Sequence, residues 1–187
     1  MELFRIFVHE KNTLLSIQFG NDPDEFTKAF NQWQDVEYLE QFFEENIADL
    51  QSGFYRNTSV EDAVLATIQE SSEFEEHIRL IAKRGERENK PNLNNIVFKT
   101  LNKYETSLTH EKNKAYGVEY KSWLRIYAIR ISADIFVVSG SAIKLTGTMG
   151  ERDHTKKELD KLKQTAQYLK DIGFMDADDY GFIEINN

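Results

Sequence analysis

The chain has 187 residues, 40% of them apolar, with 13 Phe, 8 Tyr, two prolines and a net charge of −9; this composition fits one folded unit and excludes a disordered chain. There is no cysteine, which excludes disulfides, thiolate nucleophiles and thiolate zinc sites, and no window approaches the ~18 apolar residues of a membrane span. Charge is unevenly spread: residues 1–80 carry 5 basic and 17 acidic side chains, residues 81–170 carry 18 and 10, and residues 171–187 carry 0 and 5, so the acidic total conceals a basic segment that a polyanion can find.

The opening MELFRIFVHEKN holds acid and base inside its apolar run and has no small-residue cleavage site, which argues against a signal peptide. A soluble, cytoplasmic protein is expected. Residues 2–8 and 13–19 are short apolar-rich runs flanking a polar stretch, the pattern of a β-hairpin. The Gly20-Asn21-Asp22-Pro23 cluster then breaks the sheet, with Asp22 placed to cap a helix that has Pro23 first and Phe26, Phe30 and Trp33 at helical spacing. Asp35 starts a second helix whose stripe is Val36, Leu39, Phe42/Phe43 and Ile47.

Thr58-Ser59-Val60-Glu61 is a capping-box pattern opening the clearest helix, with Val60, Val64, Ile68, Phe74, Ile78 and Ile81 on its apolar stripe. Glu70, Glu73, Glu75 and Glu76 are expected in solvent, and Arg79, Lys83, Arg84 and Arg87 suit the negative end of the helix dipole. A turn at residues 89–95 leads to a short apolar element, Ile96 to Leu101, and a lysine-rich stretch, 99–121, that fits helix or loop equally. Trp123–Ile131 and Ile135–Ser139 read as strands, with a third, Ala142–Thr146, after Gly140. A last helix spans Thr155 to Leu169 with Leu159, Leu162, Ala166 and Leu169 inward and Gly173 at its end, and Gly181–Ile185 fits a strand or an acidic tail.

The expected fold class is therefore α+β: an N-terminal hairpin and helices, then an antiparallel sheet and a C-terminal helix. Leu124, Ile126 and Ala128 on one face of the central strand, with Ile129 and Ile131 on the other, predict a helix layer on each side. The division along the chain is an acidic extension over 1–57, a core over 58–170 and an acidic end over 171–187.

Chemistry concentrates in the last strands. Arg125 and Tyr127 are two apart and share a face, whereas Arg130 falls opposite unless a bulge intervenes. Arg125, through its forked guanidinium, and Lys144, as a point charge, suit a scissile phosphate and the negative charge that grows in its transition state. Tyr127 can relay a proton or hydrogen-bond a phosphate, and His154, at a helix N-terminus among cations, can exchange a proton near neutral pH. Arg130, Lys121, Arg152 and Lys156 surround them as substrate-binding cations. The same residue types also serve as plain sheet packing, surface ion pairs and exposed caps. The four histidines lack paired ligand spacing, and Gly140, Gly147 and Gly150 form neither a P-loop nor a dinucleotide fingerprint, so no metal and no cofactor are expected.

LRIYAIRI, then DIFVVSGSAIKLT and a Lys/Glu-rich helix, preceded by FKTL at Phe98 to Leu101, resemble the C-terminal part of RelE/HigB-like toxins of bacterial type II toxin–antitoxin systems and their phage-derived relatives, over about residues 93–170. The resemblance implies a RelE-like core and a metal-independent endoribonuclease that cleaves mRNA at the ribosome and is neutralised by an antitoxin protein. In such enzymes the RNA 2′-hydroxyl attacks the adjacent phosphate. By motif position Arg125 would bind that phosphate and Lys144 would stabilise charge. The acidic N-terminal half departs from the family pattern; it reads as a cover folded over the basic sheet or as a docking platform. The competing class is a non-catalytic interaction module on a toxin-like scaffold.

Overall fold

The computed structural model describes residues 4–10, 13–52, 55, 57–85, 92–101, 110–119, 121–132, 134–174 and 185–186. The two N-terminal apolar runs pair as the pattern predicts: β1 (Phe4–Glu10) and β2 (Leu14–Phe19) are antiparallel, with Ile6 opposite Ile17. Helices α1 (Glu25–Gln34), α2 (Val36–Glu45) and the short α3 (Ile47–Leu50) follow. The cap of α1 is Asp24 rather than Asp22. Its carboxylate accepts the Phe26 and Thr27 amides and His9 Nε2–H, the last at 2.8 Å, a set of donors that Asp22, turned to Lys28, does not gather. Asp35 caps α2 as expected. Val36 opens that helix and is 48% exposed, so the buried stripe begins at Leu39.

Helix α4 (Val60–Gly85) starts one residue later than the Thr58/Glu61 spacing implies, because Ser59 Oγ accepts the Asp62 amide at 3.0 Å. Glu73 and Glu76 are exposed as expected. Glu70 is not: it is buried, at 6% exposure. The short apolar element follows a π-helical turn at Leu93–Val97 as β3 (Phe98–Thr100), and the lysine-rich stretch, read as helix or loop, instead holds a strand, β4 (Glu111–Tyr116). Next come β5 (Leu124–Ser132) and β6 (Ile135–Ile143). The expected break at Gly140 is absent. Tyr127 pairs with Gly140 and Ala128 with Val138, so Ser139 is the extra residue of a bulge and one strand replaces the two predicted. Helix α5 (Asp153–Asp171) ends where Gly173, at φ +71°, takes the left-handed conformation and Phe174 N–H bonds back to Leu169 O at 2.9 Å. A two-residue strand, β7 (Ile185–Asn186), closes the described chain; the acidic run Asp176 to Asp179 lies outside the described residues.

The seven strands form one sheet in the order β3-β4-β5-β6-β2-β1-β7, antiparallel except where β2 joins β6 and β1 joins β7. The fold is thus α+β with a mostly antiparallel sheet and a C-terminal helix, and the N-terminal hairpin belongs to that sheet rather than lying beside it. Each face has its own core. Leu124, Ile126, Ala128, Phe136 and Val138 pack with Phe26, Phe30, Trp33, Phe43 and Phe74 from α1, α2 and α4. Tyr127, Ile129, Ile131 and Val137 pack with Leu162, Ala166 and Leu169 from α5. Among the described residues no helix is long and apolar enough to cross a membrane.

Candidate functional site

Strand alternation and register together assemble a cationic pocket on the α5 face of the sheet. On β4, Lys114 and Tyr116 point to the same side as Tyr127 and Arg125, their direct partners on β5. Across the other edge of β5, Arg125 faces Ala142 and Tyr127 faces Gly140. The Ser139 bulge shifts the alternation of β6 by one, which puts Lys144, just beyond its end, on the Arg125 side. Leu101 and the loop Gly147–Met149 complete a recess of about 320 Å³.

The side chains are held from below. Arg125 Nη1 donates to the carbonyls of Ser122 and Leu124, both at 2.7 Å, and its guanidinium carbon lies 4.2 Å from the centre of the Tyr116 ring. Lys144 Nζ donates to Thr146 O at 2.8 Å and Gly147 O at 2.6 Å. Lys114 Nζ is 5.4 Å from the Tyr116 ring centre. Tyr127 is 1% exposed, and its hydroxyl has no hydrogen-bond partner among the described residues. Among the described residues no carboxylate stands within 4.0 Å of Lys114, Arg125 or Lys144, although ten other ion pairs form elsewhere.

Electrostatics follow from that arrangement. Burial lowers the pKa of Arg125; burial and then the charges of Arg125 and Lys114 lower that of Lys144. Burial pushes the Tyr127 phenol well above its usual range, which makes it a hydrogen-bond donor at neutral pH rather than a base. Three cations sharing a recess with no acid among the described residues, beside a buried hydroxyl that none of those residues satisfies, form a site that an anion stabilises twice: by relieving like-charge repulsion and by accepting the O–H.

The other residues singled out in the sequence lie elsewhere. Arg130 is on the opposite face, as its spacing predicts, 3.7 Å from the buried Glu111 carboxylate, with Nε donating to Ser132 O at 3.1 Å. Arg152 makes a two-pronged contact with Asp49, its Nε at 2.6 Å. Lys156 is exposed, 3.5 Å from Asp153, and Lys121 is exposed in the turn before β5, at φ +71°. His154 donates from Nε2 to Ile143 O at 3.1 Å and meets the Phe42 ring edge-on, outside the pocket. Among the described residues none before Leu101 lines the recess, and the acidic helices α1 and α2 pack on the other face of the sheet. Sequence reasoning missed Lys114 and Tyr116. Their signal was the period-2 run Lys112, Lys114, Tyr116, obscured because charged residues rarely announce a strand.

No known protein family, curated protein or solved structure matches the chain.

Proposed function

We propose that the chain is a RelE/HigB-like toxin, a metal-independent endoribonuclease that acts on mRNA at the ribosome in the cytoplasm and is neutralised by an antitoxin. The observation that carries this reading is the convergence of Arg125, Lys144 and the Tyr127 hydroxyl, which has no partner among the described residues, in one recess lined by no acid among those residues. A scissile phosphate seated there takes charge-assisted hydrogen bonds from Arg125 and a neutral one from Tyr127. Lys144 suits charge stabilisation. Its Nζ, held by Thr146 O and Gly147 O, is fixed as a point charge beside that phosphate, and burial with the neighbouring Arg125 and Lys114 charges lowers its pKa. The 2′-hydroxyl gives its proton to solvent water as its oxygen attacks phosphorus, and the bond to the 5′-oxygen breaks. That oxygen takes a proton from Lys114, leaving a 2′,3′-cyclic phosphate and a 5′-hydroxyl. Arg125 stabilises the extra negative charge of the phosphorane.

A second reading, an interaction module that binds a polyanion without cutting it, is favoured by the position of His154, the histidine best placed in sequence for acid–base work and the one turned toward Phe42. Induction of the native chain and of Arg125→Ala/Lys144→Ala in a bacterial host, with growth followed and mRNA 5′ ends mapped, separates the two. Arrest with new cleavage sites, both absent in the double variant, is the expected result. Normal growth with intact transcripts and well-expressed protein selects the interaction module.

A further inference from the structure

We infer that Glu70 of α4 is the positioning residue for Arg125, acting through the turn between β4 and β5; this rests on the reading of the pocket as a phosphate site. A carboxylate that is 6% exposed persists only where hydrogen bonds replace its water. Glu70 gathers them from that turn: Oε1 accepts the Glu119 amide at 3.1 Å, and the Ser122 hydroxyl donates to the same carboxylate. Gly117 is what lets the turn pass so close. A Cβ there would overlap Glu70 Oε1 and Ser122 Oγ. Ser122 hands the constraint on, since its Oγ accepts the Leu124 amide at 3.0 Å and its carbonyl accepts Arg125 Nη1 at 2.7 Å.

The guanidinium is thereby fixed by one nitrogen. Nη2 and Nε make no hydrogen bond to any described residue, so they are the donors left for a ligand. Glu70 is also an acid whose charge Arg125 feels, attractive yet beyond ion-pair distance. A carboxylate in direct contact would neutralise the cation; one that acts through Ser122 orients it and leaves its charge for the pocket. The position of Glu70 on α4, in the helix layer of the opposite face, ties the geometry of the recess to the most extensive helix of the fold.

The test measures binding of a fluorescein-labelled single-stranded oligoribonucleotide by anisotropy, with unfolding midpoints alongside, for Glu70→Ala, Glu70→Gln, Arg125→Ala and Glu70→Ala/Arg125→Ala. Glu70→Ala is expected to weaken binding about tenfold, the scale of one lost buried hydrogen-bond link. Glu70→Gln, which keeps the acceptor oxygen, is expected to recover most of that loss. The double variant should bind no more weakly than Arg125→Ala alone, because the two residues act as one unit. Native-like binding by Glu70→Ala, or losses that add in the double variant, overturns the inference while leaving the pocket intact. Native-like binding by Arg125→Ala overturns the phosphate-site reading itself, and the inference with it. If Glu70→Ala does not fold by circular dichroism, Ser122→Ala, which keeps Glu70 and removes the link, takes its place with the same expectations.

Discussion

Lys114 and Tyr127 are direct cross-strand neighbours, and among the described residues the first has no acid within ion-pair reach and the buried hydroxyl of the second has no acceptor. An orphan O–H of this kind costs stability in the empty protein, on the order of 1–3 kcal/mol. Tyr127→Phe is therefore expected to leave the unfolding midpoint unchanged or raise it, while weakening RNA binding several-fold. Thermal unfolding with and without RNA checks both halves. A destabilised Phe variant that binds RNA normally would show that the hydroxyl serves the fold.

The three pocket cations should each contribute to the salt dependence of binding. Removing one phosphate contact lowers the slope of log affinity against log salt by about 0.7 for single strands. Lys114→Ala and Lys144→Ala are each expected to do so. Arg130→Ala is expected to leave the slope alone and to destabilise the fold, because it strands the buried Glu111 carboxylate on the other face. Anisotropy titrations over a range of salt concentrations distinguish these outcomes.

Glu158 sits over Gly140, accepts the Ser141 amide at 2.9 Å and meets Lys161 at 3.0 Å, while Lys161 also bridges to Glu25 at 2.8 Å. Burial pushes the Glu158 carboxyl up to about 7, against the opposing pull of Lys161. The folded state therefore holds this proton more tightly than the unfolded chain does. Stability from Glu158 is present below its unfolded value near 4.5 and is lost as pH rises through about 7. Denaturant midpoints for the native chain and Glu158→Gln should diverge over that window, with the Gln variant lacking the loss. Parallel curves would show that Glu158 titrates alike in both states.

Asp24 has the opposite sign. Burial raises its pKa, but hydrogen bonds from His9, Thr27 and Ser16 outweigh that and hold the carboxyl well below the usual carboxylate range. Its contribution is present above the unfolded value near 3.8 and is lost in acid. Asp24→Ala removes the α1 cap and its tie to β1, for an expected loss of about 1–2 kcal/mol at neutral pH. Asp24→Asn, which keeps the cap, should lose less; equal losses measured by urea unfolding would assign the whole effect to His9.

His154→Ala is expected to leave RNA cleavage and binding unchanged, since the ring is spent on Ile143 O and Phe42. Loss of cleavage at an unchanged unfolding midpoint would return His154 to the site.

Where apolar spacing carried the signal, the sequence was enough to read. The hairpin, the α1 and α4 stripes, the α5 span and its Gly173 terminus all rest on local periodicity and capping chemistry, which need no partner to be seen. Strand β4 was hidden because Lys, Asn and Glu fill it, and its strand character comes from pairing between β3 and β5. Glu70 was misplaced for the same reason: a glutamate in an acidic helix looks solvated until a turn from elsewhere in the chain supplies its hydrogen bonds. The continuity of β6 depended on a bulge that only the register of β5 defines.

By itself the sequence determined the α+β class, the two-faced central strand, and the shared side of Arg125 and Tyr127 with Arg130 opposite. All of these follow from side chains alternating along one strand. Tertiary structure alone decided which cations meet. Lys114 and Lys144 reach Arg125 across strand pairings and a bulge, whereas Arg152 and His154, nearer to Lys144 in sequence than Arg125 is, turn to Asp49 and Phe42. Pairing register and burial are properties of the assembled sheet, and they place charges that local pattern can only name.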